Sequence, residues 1–243
     1  MQKIASAIIQ ARMNSTRFPR KMIKKLGNEK VIEWVIKRLK KSKKLNQIIL
    51  ATSTRYEDKK LIEIAKQNGI SFFTGSEKNV LKRYYDAAKK FKVKNIVRIC
   101  ADNPFISSSE VDLLIGTFIN NNRKFSFNHR SFQKFKYADG FGAEIIAFED
   151  LEAIYKKAFL KKHKEHITSY LWENYKNYEL TPAKTEIPKN KRYLRADIDN
   201  EKDLIMLNDF VKKFSINIDT KTKDIVNYLH KYKVSKNIII NTV

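Results

Sequence analysis

The chain has 243 residues, 42% of them hydrophobic, enough to bury the core of one or two domains, and its single cysteine excludes an intrachain disulfide or a cysteine-rich metal site. Lysine and arginine outnumber the acids 50 to 26, a formal net charge of +24. The cations are spread along the whole chain without an RNA-binding signature or an aromatic-interleaved basic stripe. Specific nucleic-acid binding is therefore not expected, and the charge reads as a solvated surface that attracts small anions.

The first element is the apolar run Ile4-Ala5-Ser6-Ala7-Ile8-Ile9, too short for most signal-peptide cores and better read as a buried strand. No run approaches the roughly 18 residues of a membrane span, so a soluble, cytoplasmic protein is expected. A helix follows with Val31, Ile32, Val35, Ile36 and Leu39 at helical spacing, then the strand Gln47 to Thr52. The next helix turns Leu61, Ile62 and Ala65 inward and ends at Gly69, before a strand from Ile70 to Phe73. Val80, Leu81, Tyr84, Tyr85, Ala88 and Phe91 mark a third helix, and Ile96 to Ala101 a strand that ends at Asp102. Ser107-Ser108-Ser109-Glu110 has the form of a capping box opening a fourth helix. Periodicity is poor in the aromatic and basic stretch from Arg123 to Gly142. A strand is expected over Ala143 to Phe148, helices through Trp172, a strand-helix pair from Arg192 to Lys213, and a helical tail ending in Ile238-Ile239-Ile240. This alternation predicts an α/β chain with a doubly wound, mainly parallel sheet. Ligands in such sheets sit at the carboxyl ends of strands, where the segment after Ile9 and Asp102 both fall.

Those two places carry the chemistry. Arg12, Ser15, Thr16, Arg17 and Lys21 bring cations and hydroxyls into one loop leaving a strand, the parts that grip a polyphosphate. The loop is not the glycine-rich phosphate loop, since it lacks glycine and its lysine does not precede a hydroxyl residue. Asp102 and Asp199 are acids at strand ends, suited to a hard divalent cation shared with phosphate oxygens. Each also has a plain structural role available, a turn for Asp102 and a helix N-cap for Asp199. Asp197 lies two residues earlier on the expected strand face. Cys100, inside an apolar run, reads as core packing.

The stretch Ile8-Ile9-Gln10-Ala11-Arg12-Met13-Asn14-Ser15-Thr16-Arg17-Phe18-Pro19-Arg20-Lys21 resembles the signature loop of the sugar-activating cytidylyltransferases, which include the CMP-3-deoxy-octulosonate and CMP-acylneuraminate synthetases. The likeness is greatest to the spore coat polysaccharide biosynthesis protein F branch. Asn14 and Arg20 stand where that branch has glycine. If the backbone there needs a positive φ, Asn is the best substitute and Arg a poor one. Ala101-Asp102-Asn103-Pro104 and Asp199-Asn200-Glu201-Lys202-Asp203-Leu204 resemble two further family motifs, with Ala101 in place of a glycine.

The resemblance, which runs from about residue 4 to residue 210, implies a Rossmann-like nucleotidyltransferase fold with a small inserted lobe. Its catalytic domain would span 1–214, with an acceptor or dimerisation insertion near 123–142, and a helical extension would span 215–243. It implies that Ala11, Arg12, Ser15, Thr16, Arg17 and Lys21 hold CTP, with Ser76 and Arg83 from the Gly75 to Tyr84 segment near the nucleotide. Arg12, Lys21 and Asp102 would be catalytic, Asp102 and Asp199 would hold Mg²⁺, and Asp139, Glu144 and His166 would face a sugar acceptor. Gly142 departs from the family pattern, which has an acid there. A homodimer is implied as well. Two other readings compete: a nucleotide-sugar glycosyltransferase, because Asp197-Ile198-Asp199 spells an Asp-x-Asp motif, and a polyanion-binding module without catalysis.

Overall fold

The computed structural model describes residues 4–122 and 125–236. Arg123, Lys124 and the run Ile238 to Ile240 lie outside the described residues. A seven-stranded sheet forms the centre, built from β1 (Ala5–Gln10), β4 (Leu45–Ser53), β5 (Ser71–Gly75), β6 (Asn95–Cys100), β7 (Ser126–Phe127), β8 (Glu144–Ala147) and β9 (Thr181–Pro182). Its order is β5-β4-β1-β6-β8-β7-β9. Strands β5, β4, β1 and β6 are parallel, and β8 joins antiparallel to β6. A short hairpin, β2 (Lys25–Leu26) and β3 (Glu29–Lys30), stands apart.

The inner parallel strands β4, β1 and β6 are apolar and largely buried on both faces, with alternate residues serving opposite layers. Ala7, Ile9, Leu50, Val97 and Ile99 join one core with α1 (Val31–Leu39), α2 (Lys59–Gln67) and α4 (Ser108–Asn120). Ile8, Ile49 and Ile96 join another, against α3 (Val80–Lys90) and α5 (Phe148–Lys157). Trp34 and Phe105 meet edge to face, 5.4 Å between centroids, in a third cluster with α8 (Glu201–Lys213) and α9 (Thr222–Ser235). The chain runs outward from β1 to β4 and β5, then returns to place β6 on the other side of β1. Strand order therefore reverses between β1 and β6, and a crevice opens there at the carboxyl ends.

Several local expectations are revised. Ser107 accepts the Glu110 N–H and caps α4, but the Glu110 side chain turns inward to Asn128 and the Glu186 N–H, so no reciprocal capping box forms. The expected strand before α8 is a single bridge between Asp139 and Arg195, because this segment is stitched to loops and not to a neighbouring strand. Between β8 and β9 the chain forms α5, α6 (Lys161–Glu165) and α7 (Ser169–Glu173). Among the described residues no helix is long and apolar enough to cross a membrane.

Candidate active site

The loop after β1 is anchored from below. Ala11, Met13 and Phe18 are buried, whereas Arg12, Asn14, Thr16 and Arg17 are exposed, so apolar pegs fix the backbone and leave the cations facing out. Asp58, 1% exposed, accepts the Met13 N–H through Oδ1 at 2.7 Å. Its Oδ2 accepts the Thr52 hydroxyl at 2.8 Å and the Ser53 N–H at 3.0 Å. The loop closes on itself where the Arg20 N–H donates to Met13 O, and Arg20 sits at φ 58°. That is the left-handed conformation that favours glycine, so this chain keeps the turn and accepts the strain of an arginine in it. Asn14 is not in that region; its side chain bonds Glu77. Arg55 first, then Asn14 and Arg12, hold the half-buried Glu77 carboxyl below its ordinary value.

Lys21 is buried. Its Nζ donates to Asp102 Oδ2 at 2.9 Å and to Ile198 O at 2.7 Å, while the Ile198 N–H donates to Asp102 O. One lysine thus ties the loop after β1, the end of β6 and the segment before α8 together. Asp199 follows directly. The helix N-cap falls to Asn200, with Asp203 closing a true capping box, so the Asp199 carboxylate is not consumed by the helix. Arg17 and Arg195 each meet Asp199 Oδ2, at 2.9 and 2.7 Å, and Arg195 also forks onto Asp197.

On the other side of Asp102 lies a cavity of about 390 Å³, bordered by Asp139, Asp197, Glu144, His166, Arg130 and Trp172. Asp139 is pushed up to about 6, by burial first and then by the neighbouring Asp197 carboxylate. The Asp139 N–H donates to Leu194 O, and the Ala196 N–H donates back to Asp139 O. Gly140 permits this pairing: its φ is +92° and a Cβ would stand 2.9 Å from Ala196 C. At Gly142, where an acid was expected, a Cβ would stand 2.1 Å from Asn128 O, so this backbone has no room for a side chain.

Other expected contacts move into supporting positions. Glu144 is 1% exposed and its two oxygens are taken by Arg98, His129, Thr168 and Trp172, so it holds the wall of the cavity together. Burial pushes His129 down to about 4 and keeps it neutral there. Arg83 is wholly enclosed, and its Nη1 donates to Ser76 O, which places it behind the loop that it braces. The Ser76 hydroxyl accepts the Asn79 N–H. His166 is exposed at the cavity rim. Cys100, expected in the core, borders the cavity with partial exposure, and burial pushes its thiol up to about 12.

Asp58 and Arg55 were missed in the sequence because they belong to no motif. The available signal was Asp58 itself, standing ahead of a helix and a few residues after a pair of hydroxyls, Thr52 and Ser53, at the end of an apolar strand.

A crevice at a strand-order reversal, floored by paired acids and covered by a cationic loop, is the site of a nucleotidyltransferase. The family model described as cytidylyltransferase matches residues 6–238, and the chain belongs to that family. An uncharacterized protein of Methanocaldococcus jannaschii is 36% identical over 96% of this chain and 93% of its own. The spore coat polysaccharide biosynthesis protein SpsF of Bacillus subtilis is 24% identical over 92% of this chain and 93% of its own. The solved cytidylyltransferase from Leptospira borgpetersenii superposes with a TM-score of 0.85 at 31% identity, covering 100% of this chain and 99% of that one.

Proposed function

We propose that the protein transfers CMP from CTP to a sugar and releases pyrophosphate, in the service of surface polysaccharide synthesis. The carrying observation is Lys21, which bonds Asp102 and Ile198 O at the meeting point of the cationic loop and the 390 Å³ cavity. A triphosphate on the loop and an acceptor in the cavity would meet at Asp102. The spore coat relative's name supports the polysaccharide role.

In this reading Arg12 and the hydroxyls of Ser15 and Thr16 bind the triphosphate from the exposed face of the loop. Arg17, with a largely exposed side chain, exchanges Asp199 for phosphate at little cost, because exposed ion pairs are weak. The acceptor oxygen forms a bond to the α-phosphorus as the bridge to the β-phosphate breaks, and the electron pair leaves with pyrophosphate. Lys21 offsets the charge that develops on it. Among the described residues no cluster of three or more His, Cys, Asp or Glu could hold a metal unaided. Two hard-oxygen donors, Asp102 and Asp199, fit a Mg²⁺ whose remaining ligands come from substrate and water. Such an ion would shield the phosphate charge and fix the triphosphate for in-line displacement.

The test is pyrophosphate release with each ribonucleoside triphosphate and Mg²⁺ against a panel of sugar acids and sugar phosphates. Turnover with CTP and one acceptor is expected, falling at least about 10²-fold in Asp102→Asn. Turnover of a nucleotide-sugar without pyrophosphate release would replace this reading with glycosyl transfer.

A further inference from the structure

We infer that Arg17 and Arg195 form a latch on Asp199, which withholds this carboxylate from a divalent cation until a triphosphate draws Arg17 away. This rests on the nucleotidyl-transfer reading of the cleft.

The first observation is where the two guanidinium groups converge. Arg17 Nη1 and Arg195 Nη2 both donate to the same oxygen, Asp199 Oδ2, at 2.9 and 2.7 Å. Arg195 also forks onto Asp197, with Nε on Oδ1 at 2.5 Å and Nη2 on Oδ2 at 2.7 Å. Two acids are thus met by two arginines. Asp102, the other acid suited to the cation, is met by Lys21 at 2.9 Å. A divalent ion approaching the free protein would find both of its ligands answered and two like charges beside Asp199, which oppose it.

The second observation is that the arms of the latch are unequal. Arg195 is tied down by its fork on Asp197, and its own carbonyl accepts Lys233 Nζ at 3.0 Å. Arg17 reaches over from the loop after β1, with its side chain 69% exposed, and touches Asp199 through one nitrogen. Such an exposed pair is weak, and phosphate oxygens offer a guanidinium more charge and two parallel hydrogen bonds. Arg17 therefore leaves with the triphosphate while Arg195 stays. Asp197 and Asp199 then face one arginine in place of two, and a net negative charge appears beside the newly bound phosphates. By linkage, triphosphate and cation each favour the other.

The two ligands can be separated experimentally. The full chain would be titrated with Mn²⁺ alone, following the free ion by electron paramagnetic resonance, and with CTP in EDTA by calorimetry. Mn²⁺ is a suitable probe because it takes oxygen ligands. Arg17→Ala should tighten Mn²⁺ binding to the nucleotide-free protein about fivefold, one exposed ion pair converted to affinity. Arg12→Ala removes an exposed cation of the same loop and should leave Mn²⁺ affinity nearly unchanged. Adding Asp199→Asn to Arg17→Ala should abolish the gain. Asp199→Asn alone should tighten metal-free CTP by several fold, since Arg17 then has no carboxylate to leave, and it should not do so in an Arg17→Ala background. Unchanged Mn²⁺ affinity in Arg17→Ala, or an equal gain in Arg12→Ala, overturns the latch even if CTP is turned over. The Mn²⁺ gain together with no CTP binding by the wild type would instead overturn the nucleotidyl-transfer reading and leave the arginine latch on Asp199 standing.

Discussion

The two halves of the cleft, the proposed nucleotide side at the loop after β1 and the proposed acceptor side at the 390 Å³ cavity, are each organised by one buried carboxylate, and the two work differently. On the nucleotide side Asp58 accepts only neutral donors: the Met13 and Ser53 N–H groups and the hydroxyls of Thr52 and Ser53. On the acceptor side Glu144 faces a guanidinium, Arg98, and is completed by Thr168, Trp172 and His129. The regular parallel sheet needs only a pin to set the loop's backbone. The acceptor side, where the two-residue β7 and β9 and the five-residue α6 and α7 gather around the four-residue β8, has fewer ladder hydrogen bonds and uses a buried ion pair as its hub. A pin should govern local geometry, and a hub should govern folding.

Breaking the hub should therefore have the larger effect. Glu144→Ala leaves Arg98 buried without its partner and should lower unfolding free energy by about 3–5 kcal/mol. Burial alone would raise the Glu144 carboxyl, but Arg98, His129, Trp172 and Thr168 together hold it below its ordinary value. The stability it contributes is thus present above the ordinary carboxylate range and lost as pH falls through the lower folded value. Urea unfolding at neutral and acid pH should show the gap between wild type and variant closing on acidification. A gap indifferent to pH would count against an ionised Glu144.

Breaking the pin should cost less stability and more nucleotide affinity. Asp58→Asn puts an amide donor among donors, at a cost of about 2 kcal/mol. Displacement of the Met13 backbone should raise the KM for CTP about tenfold, on the order of one charged hydrogen bond, and leave the acceptor KM unchanged. If both constants moved together, Asp58 would be acting on the whole fold.

The smallest effect sharpens the same side of the comparison. Arg20→Gly relieves a left-handed arginine, worth about 1 kcal/mol before the extra backbone entropy of glycine is subtracted. A rise in Tm of about 2 °C is expected in differential scanning calorimetry. If Tm instead falls, the exposed Arg20 side chain stabilises the loop through contacts stronger than the strain.

Much of the nucleotide side was legible in the sequence because its elements are long and periodic. Apolar strands buried on both faces, helices at 3.6-residue spacing and a cation-rich loop after β1 are all local patterns. Of the two positions where the family has glycine, 20 has the positive φ and 14 does not, which the sequence left open. The acceptor side was not legible, because Phe125, Phe127 and Phe132 from one irregular stretch meet Trp172 from another and leave no period behind. Glu144, expected to face an acceptor, borders the cavity with both oxygens engaged by protein groups. Its partners lie 46 and 24 residues away at Arg98 and Thr168, and only the fold shows that they exhaust it.

By itself, then, the sequence determined the layered α/β architecture, the family and the two strand ends where the cations and acids gather, since each depends on contiguous residues. Tertiary structure alone decided which charges cancel. Lys21 answers Asp102 across 81 residues, Arg17 answers Asp199 across 182, and Arg130 rests on the Trp172 ring. Electrostatic interaction depends on distance and burial in space, and neither is written in the order of the chain.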